Sequence, residues 1–184
     1  MVIITNFLDG LSCRHCFDCF STSFKNGSLT RERIRNHHTK QSWEDFNALL
    51  CCTPPGNHGY IGIYFDQQEI TPKMQGTFRF DASGNPIDHF EESATEVRAI
   101  IEGQFLAKRV HAERLGFNIG TMNSIQLFVL TKLILYNWFS TIIFHLKGPQ
   151  CRVLATGGAS NNKVILQVLS DVFRATVFTQ VIAC

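Results

Sequence analysis

The chain has 184 residues, 45% of them apolar and 17% charged, with a formal net charge of +2. That length builds one buried core and is short for two. So small a charge provides no broad basic surface, which leaves nucleic acid without electrostatic support as a partner.

The first residues, Met1 to Leu8, are mildly apolar, lack a basic start and soon meet Asp9, so they do not form a secretory signal. Seven cysteines follow at irregular positions: Cys13, Cys16, Cys19, Cys51, Cys52, Cys151 and Cys184. An odd, irregular set suits a reducing, cytoplasmic setting. Cys13, Cys16 and Cys19, with His15 between them, have the two-residue gaps of a thiolate knuckle. A closed zinc site needs a fourth ligand, and adjacent Cys51 and Cys52 do not readily converge on one ion. Free thiols in a poorly ordered leader are therefore the expectation, and no metal ligand is assigned.

From Ser21 the pattern becomes regular. Residues 21–30 read as a hairpin, with Asn26-Gly27 at a type I′ turn. A short helix follows over 42–50, capped by Ser42, with Trp43, Phe46, Leu49 and Leu50 on one stripe. Residues 54–59 form a loop. Residues 60–65 and 76–80 are strands, with turns at 70–73 and at Gly84-Asn85-Pro86. A long helix starts near Ala94 or Thr95, with Thr95 as its cap and Gly116 as its stop. Its apolar face carries Val97, Ile100, Ile101, Phe105 and Val110. Arg98, Glu102, Lys108, Arg109, Glu113 and Arg114 fall mostly on other faces. Gly103 inside it costs about 1 kcal/mol relative to Ala, which points to close packing against another element.

About 35 residues then separate this helix from the next strand, 152–155, where an α/β link normally takes about 2–6. The centre of this link, from Ile125 to Leu146, is very apolar. As a helix it would span ~33 Å, enough for a bilayer. Lys132, near one end, argues against that. Three readings stand. A helix packed on the protein or loosely attached comes first, and a membrane span second. Sequence foreign to the fold, from an unusual transcript, accounts best for the length of the link and is compatible with either.

The last unit is Arg152-Val-Leu-Ala-Thr-Gly-Gly-Ala-Ser-Asn-Asn162, then a helix over 163–173 and a strand over 176–178. Val164, Leu166 or Ile165, Val168, Leu169 and Val172 give that helix its apolar side. Strand, helix and strand in this order predict a parallel pair. Two bare glycines let the turn lie flat against a nucleotide, and the helix N-terminus behind them can face phosphate.

Five segments resemble xylulose kinases of the FGGY family of carbohydrate kinases. They are Phe24-Lys-Asn-Gly-Ser-Leu-Thr-Arg-Glu-Arg-Ile-Arg35, Ser42-Trp-Glu-Asp-Phe46, Ile61-Gly-Ile-Tyr-Phe-Asp-Gln-Gln-Glu-Ile-Thr-Pro72, Glu96-Val-Arg-Ala-Ile-Ile-Glu-Gly-Gln-Phe-Leu-Ala-Lys-Arg109 and Leu154-Ala-Thr-Gly-Gly-Ala-Ser-Asn-Asn162. Each alone is weak, but the five occur in the family's order. The resemblance implies an α/β, ribonuclease H-like domain of the actin-like ATPase fold, corresponding to the C-terminal, nucleotide-binding half of the enzyme. It implies ATP, with Mg²⁺ on its phosphates, and D-xylulose as the sugar of the full-length enzymes. It sets Gly157 and Gly158 against the adenosine, Asn161 as a polar contact and Trp43 as the aromatic beside the base. Trp43 is read almost equally well as a core anchor, and Glu102-Gly103 as structural.

Against this pattern the chain divides into an unmatched leader (1–20), an incomplete domain (21–178) interrupted by an apolar insert (118–150), and a divergent tail (179–184). The family's sugar site, catalytic aspartate and first phosphate loop lie in a preceding domain that has no counterpart here. The second phosphate loop should lie just before Phe24. The tail stops before the domain's final helix, which would leave one face of the sheet open. Asp45, Asp66, Asp81 and Asp88 fall in turns or strand ends without an arrangement that names a base, so no catalytic residue is assigned. The resemblance thus implies a truncated or alternative product that does not phosphorylate xylulose alone. Its alternatives are a non-catalytic nucleotide-binding product and one attached to a membrane through Ile125 to Leu146.

Overall fold

The computed structural model describes residues 2–5, 19–22, 24–114, 119 and 152–179. They form two sheets and four helices. Strands β1 (Val2–Thr5) and β2 (Cys19–Thr22) pair antiparallel. Helices α1 (Ser28–His38) and α2 (Trp43–Cys51) follow. The strands β3 (Ile61–Phe65), β4 (Gly76–Phe80) and β5 (Pro86–Ile87) make a three-stranded antiparallel sheet. After the long helix α3 (Ser93–Arg114) come β6 (Arg152–Ala155), α4 (Lys163–Phe173) and β7 (Val177–Thr179). The second sheet has the order β2-β1-β6-β7, with β6 and β7 parallel as expected.

Helix α3 is the hub, packed against β3, α4, α2 and α1. Because it is enclosed, the amphipathic pattern expected of it fails: Arg98, Glu102, Lys108 and Arg109 are buried with the apolar residues. Buried charges need partners. Arg98 Nε lies 2.7 Å from Glu102 Oε1, and its Nη1 donates to the carbonyls of Leu50 and Thr53. Glu102 also accepts from the Gly56 amide at 2.9 Å. Arg109 donates to Val172 O and Ile119 O and pairs with Glu113. Arg98, Glu102 and Arg109 are therefore brackets between elements rather than part of a solvated face. The helix begins at Ser93, so Thr95 is inside its first turn and is not the cap.

Close approach explains Gly103. A Cβ built there would sit 2.0 Å from the carbonyl oxygen of Gly62, so α3 lies with its backbone directly on β3. All five β3 residues are buried, consistent with a strand covered on both sides.

The hairpin expected over residues 21–30 does not form. Gly27 has φ −102°, not the positive value of a type I′ turn, and α1 starts at the next residue. Asn26 is instead buried as a clamp. Its Nδ2 donates to Gln67 O at 2.9 Å and to Glu69 Oε2 at 3.0 Å, and its Oδ1 accepts from Gln67 N at 2.8 Å. These long-range bonds outweigh the local turn preference of Asn-Gly. Within the expected leader, β1 lies between β2 and β6, so these segments extend the sheet that carries the glycine turn.

The shorter helices follow their sequence signals. Ser42 caps α2 by accepting from Asp45 N at 3.0 Å, with Glu44 and Asp45 favourably placed in the first turn. Helix α4 buries Ile165, Val168, Leu169, Val172 and Phe173, so Ile165 rather than Leu166 faces the core. Strand β7 begins one residue later than expected. Cys13, His15, Cys16, Gly116, the 125–146 stretch and residues 180–184 lie outside the described residues. Among the described residues, no helix is long and apolar enough to cross a membrane.

Candidate functional site

The turn after β6 is built from two glycines with different reasons to be glycine. Gly157 has φ 88° and ψ −178°, a region essentially closed to any residue with a Cβ. Gly158 opens a short 3₁₀ turn, Gly158–Asn161, and a Cβ added to it meets nothing within 4 Å. Neither backbone strain nor neighbouring atoms hold glycine at this position. Ser160 locks the turn: its Oγ and its amide both donate to Gly157 O, at 2.6 and 2.9 Å.

The two asparagines that follow have separate tasks. Asn162 is internal machinery. Its Oδ1 accepts from Val164 N and Ile165 N, and its Nδ2 donates to Asn47 Oδ1 at 2.8 Å, tying α4 to α2. Asn161 is exposed, and its side chain makes no hydrogen bond among the described residues. The capping corrects one expectation. The first donors of α4 are largely taken by Asn162, with Leu166 N bonded to Asn162 O, so the helix N-terminus is not an open phosphate cradle.

A cleft of about 880 Å³ opens in front of the turn. Gly157, Gly158, Asn161 and Trp43, the four residues singled out from sequence, all line it. Trp43 is half-buried at the start of α2, edge-on to Phe46 with centroids 5.2 Å apart, and the Arg35 guanidinium carbon lies 4.6 Å from its ring centroid. Trp43 thus packs against the core and also lines the cleft.

The rest of the lining was not foreseen. It comes from Phe24, from Gly27 and Arg31 at the start of α1, and from Lys108 on α3. Gln104 organises it, accepting from Arg31 Nη1 at 2.7 Å and donating to the carbonyls of Asn26 and Gly27. Burial lowers the pKa of Arg31, opposed by Glu32. Burial also pushes the Lys108 ammonium down to about 8, with Arg31 adding to the effect and Glu69 opposing it. Helix α1 is polar nearly all round and buries only Thr30 and Ile34, so no periodic pattern marks this wall. The one usable signal was the Phe24-Lys-Asn-Gly segment, which was read as part of a hairpin.

Among the charged residues lining the cleft, Arg31, Lys108 and Lys163 face a single carboxylate, Glu32. Asp45, Asp66, Asp81 and Asp88 are not part of its lining. Asp66 pairs with Arg33 at 2.8 Å, and Asp81 folds its own turn by accepting from Ser83 N and Asn85 N. The arrangement suits an anionic ligand with a flat apolar part.

Residues 16–181 match the model of the FGGY family of carbohydrate kinases, C-terminal domain. The chain belongs to this family. The FGGY chain is 43% identical over 155 residues to the xylulose kinase of Rattus norvegicus, a match covering 84% of this chain and 24% of that protein. It is 35% identical over 167 residues to xylulose kinase 2 of Arabidopsis thaliana, covering 85% and 25%. The FGGY chain thus spans about a quarter of the length of the curated relatives it matches. A crystal structure of xylulose kinase from Rhodospirillum rubrum superposes with a TM-score of 0.51 at 14% identity, covering 89% of this chain and 27% of that one. The α/β, ribonuclease H-like fold expected from sequence is thereby borne out.

Proposed function

We propose that this chain is the ATP-binding half of a xylulose kinase-type sugar kinase. The observation that carries the reading is the open cleft between the Gly157-Gly158 turn and Trp43, with room at Gly158 for a ligand atom where a side chain would stand. Its volume is in the range of small-molecule sites, about 300–1,000 Å³. In this reading the glycine backbone lies flat against the adenosine, Asn161 offers a polar contact at its edge, and Trp43 stacks on the base.

The whole reaction, transfer of the γ-phosphoryl group of ATP to a hydroxyl of D-xylulose, needs a base for that hydroxyl and a charge clamp on the phosphates. Among the described residues no three metal-ligating side chains converge. Mg²⁺ in this reading comes with ATP, where it would neutralise the charge of the phosphates during transfer. The residues of this chain bind and orient the nucleotide, and none is assigned as the base. The reading keeps the chain in the cytoplasm, where ATP is supplied.

Calorimetric titration of the full chain with ATP tests this, alongside an assay that couples ADP release to a detectable signal with D-xylulose present. Saturable binding of one ATP without turnover is the expected result. Absence of binding would overturn the nucleotide assignment, and turnover would overturn its restriction to binding.

A further inference from the structure

Lys108 is a charge that the fold itself does not account for. It is buried on α3 and lines the cleft. Among the described residues its ammonium makes no ion pair. Its Nζ reaches Gln104 O at a long 3.5 Å and sits 4.7 Å from the centroid of the Phe24 ring. A cation–π contact offsets part of the desolvation of an ammonium, but it does not replace a carboxylate.

The charged groups around Lys108 do not neutralise it. Arg31, from α1, repels it. Glu69, on the segment after β3, attracts it, but that carboxylate is bonded to the amides of Lys25 and Ile70 and to Asn26 Nδ2. His111, on α3 itself, packs its ring 5.6 Å from Phe24 and is disfavoured as a cation by burial, by Arg114 and by Lys108. Arg109, the next residue of α3, is by contrast held by two backbone carbonyls and by Glu113. A buried ammonium that attracts Glu69 only from beyond ion-pair distance, at the wall of a cleft, matches an anion that arrives with the ligand.

We propose that Lys108 receives the polyphosphate of the nucleotide in this cleft, and that the contact makes nucleotide affinity fall in alkaline solution. The proposal rests on the nucleotide reading above and adds the group that recognises the anionic end. The sign follows from linkage. Lys108 loses its proton near pH 8 in the free protein, and a bound polyphosphate favours the protonated form. Affinity is therefore full below about pH 8 and declines above it, by at most about tenfold per pH unit.

The test titrates the full chain with fluorescent analogues of ATP and of adenosine between pH 6.5 and 9.5. ATP affinity of the wild-type chain is expected to fall about tenfold from pH 7 to pH 9, while adenosine affinity stays level. Lys108→Met is expected to weaken ATP about tenfold at pH 7, to abolish the decline and to leave adenosine unchanged. Lys108→Arg, which keeps the test open if the methionine variant does not fold, is expected to hold ATP tightly with no decline up to pH 9.5. A wild-type chain with one shared pH profile for both ligands overturns the proposal. So does Lys108→Met with wild-type ATP affinity, or Lys108→Arg with a wild-type decline. If the wild-type chain binds adenosine and ATP equally, Lys108 is excluded as the anion contact while the nucleotide reading survives. If it binds neither, the nucleotide reading itself fails.

Discussion

Gly103, in the middle of α3, and Gly158, at the turn after β6, are glycines for different reasons. At Gly103 an added Cβ collides with the Gly62 carbonyl oxygen at 2.0 Å, whereas at Gly158 it meets nothing within 4 Å. The same division runs through the charges. Around the core of α3, Arg98 and Arg109 donate to backbone carbonyls and pair with Glu102 and Glu113. At the cleft, Lys108 faces a ring and a distant carbonyl. Arg98 and Arg109 are tied into the fold by carboxylates and carbonyls, whereas Lys108 has no carboxylate within ion-pair distance among the described residues and lines the cleft.

That contrast can be broken most forcefully in the core. Glu102→Ala takes the paired carboxylate from the buried Arg98 guanidinium, and removing one partner of such a pair costs about 3–5 kcal/mol. Chemical denaturation should show this as a large fall in the unfolding midpoint. A loss under about 1 kcal/mol would mean that the bracket between α3 and the 54–59 loop is dispensable.

Gly103→Ala comes next. Alanine raises helix propensity by about 1 kcal/mol, but overpacking against a backbone carbonyl costs about 1–3 kcal/mol or more. Net destabilisation is expected in the same denaturation experiment. A neutral or stabilised variant would refute the close-approach account.

Removing the cleft residues should leave stability much less affected and act on binding instead. Trp43→Leu retains apolar contact with Phe46 and loses a stacking face, which is worth about 1–3 kcal/mol per base. ATP affinity should drop roughly tenfold or more in a fluorescence titration, and unchanged affinity would leave Trp43 only as a core anchor. The smallest effects separate the two asparagines. Asn162→Ala should lose about 1 kcal/mol of stability with its cap, whereas Asn161→Ala should stay within about 0.5 kcal/mol of wild type and weaken ATP alone.

The pH dependence of stability follows the same division. Burial holds the ammonium of Lys108 down at about 8, below its ordinary 10.5. Between those values the unfolded chain binds more protons, so the group's contribution to stability rises with pH, by up to about 1.4 kcal/mol per unit. Below pH 8 both states are protonated and the contribution is flat at its least favourable. Denaturation of wild type and Lys108→Met at pH 7 and pH 9.5 should show a smaller gain with pH in the variant.

Much of this was legible before the structure. The Ser42 cap, the strand expected at 60–65 (observed from Ile61), the limits of the last helix and the parallel pair follow from local signals that nothing opposes. Gly103 was correctly marked as a point of close packing, although only the coordinates name Gly62 as its partner. Asn26-Gly27 was misread because a two-residue preference is weak beside three long-range hydrogen bonds between the Asn26 side chain and residues 67 and 69. The charges of α3 were misread for a related reason. Periodicity separates polar from apolar faces only when one face meets water, and this helix is surrounded.

Within the cleft, the turn and Trp43 were visible because they sit in recognisable segments. The wall of Arg31 and Lys108 was not, because residues 24–31 and 104–108 become neighbours only through tertiary contacts, those of Gln104 and of Lys108 with Phe24. No spacing rule connects them.

Gly158→Trp tests the central claim most directly. The side chain would enter open space in the cleft, so the unfolding midpoint of the full chain should stay close to wild type while ATP binding is lost. A Gly158→Trp chain that binds ATP as tightly as wild type would contradict the assignment of this cleft.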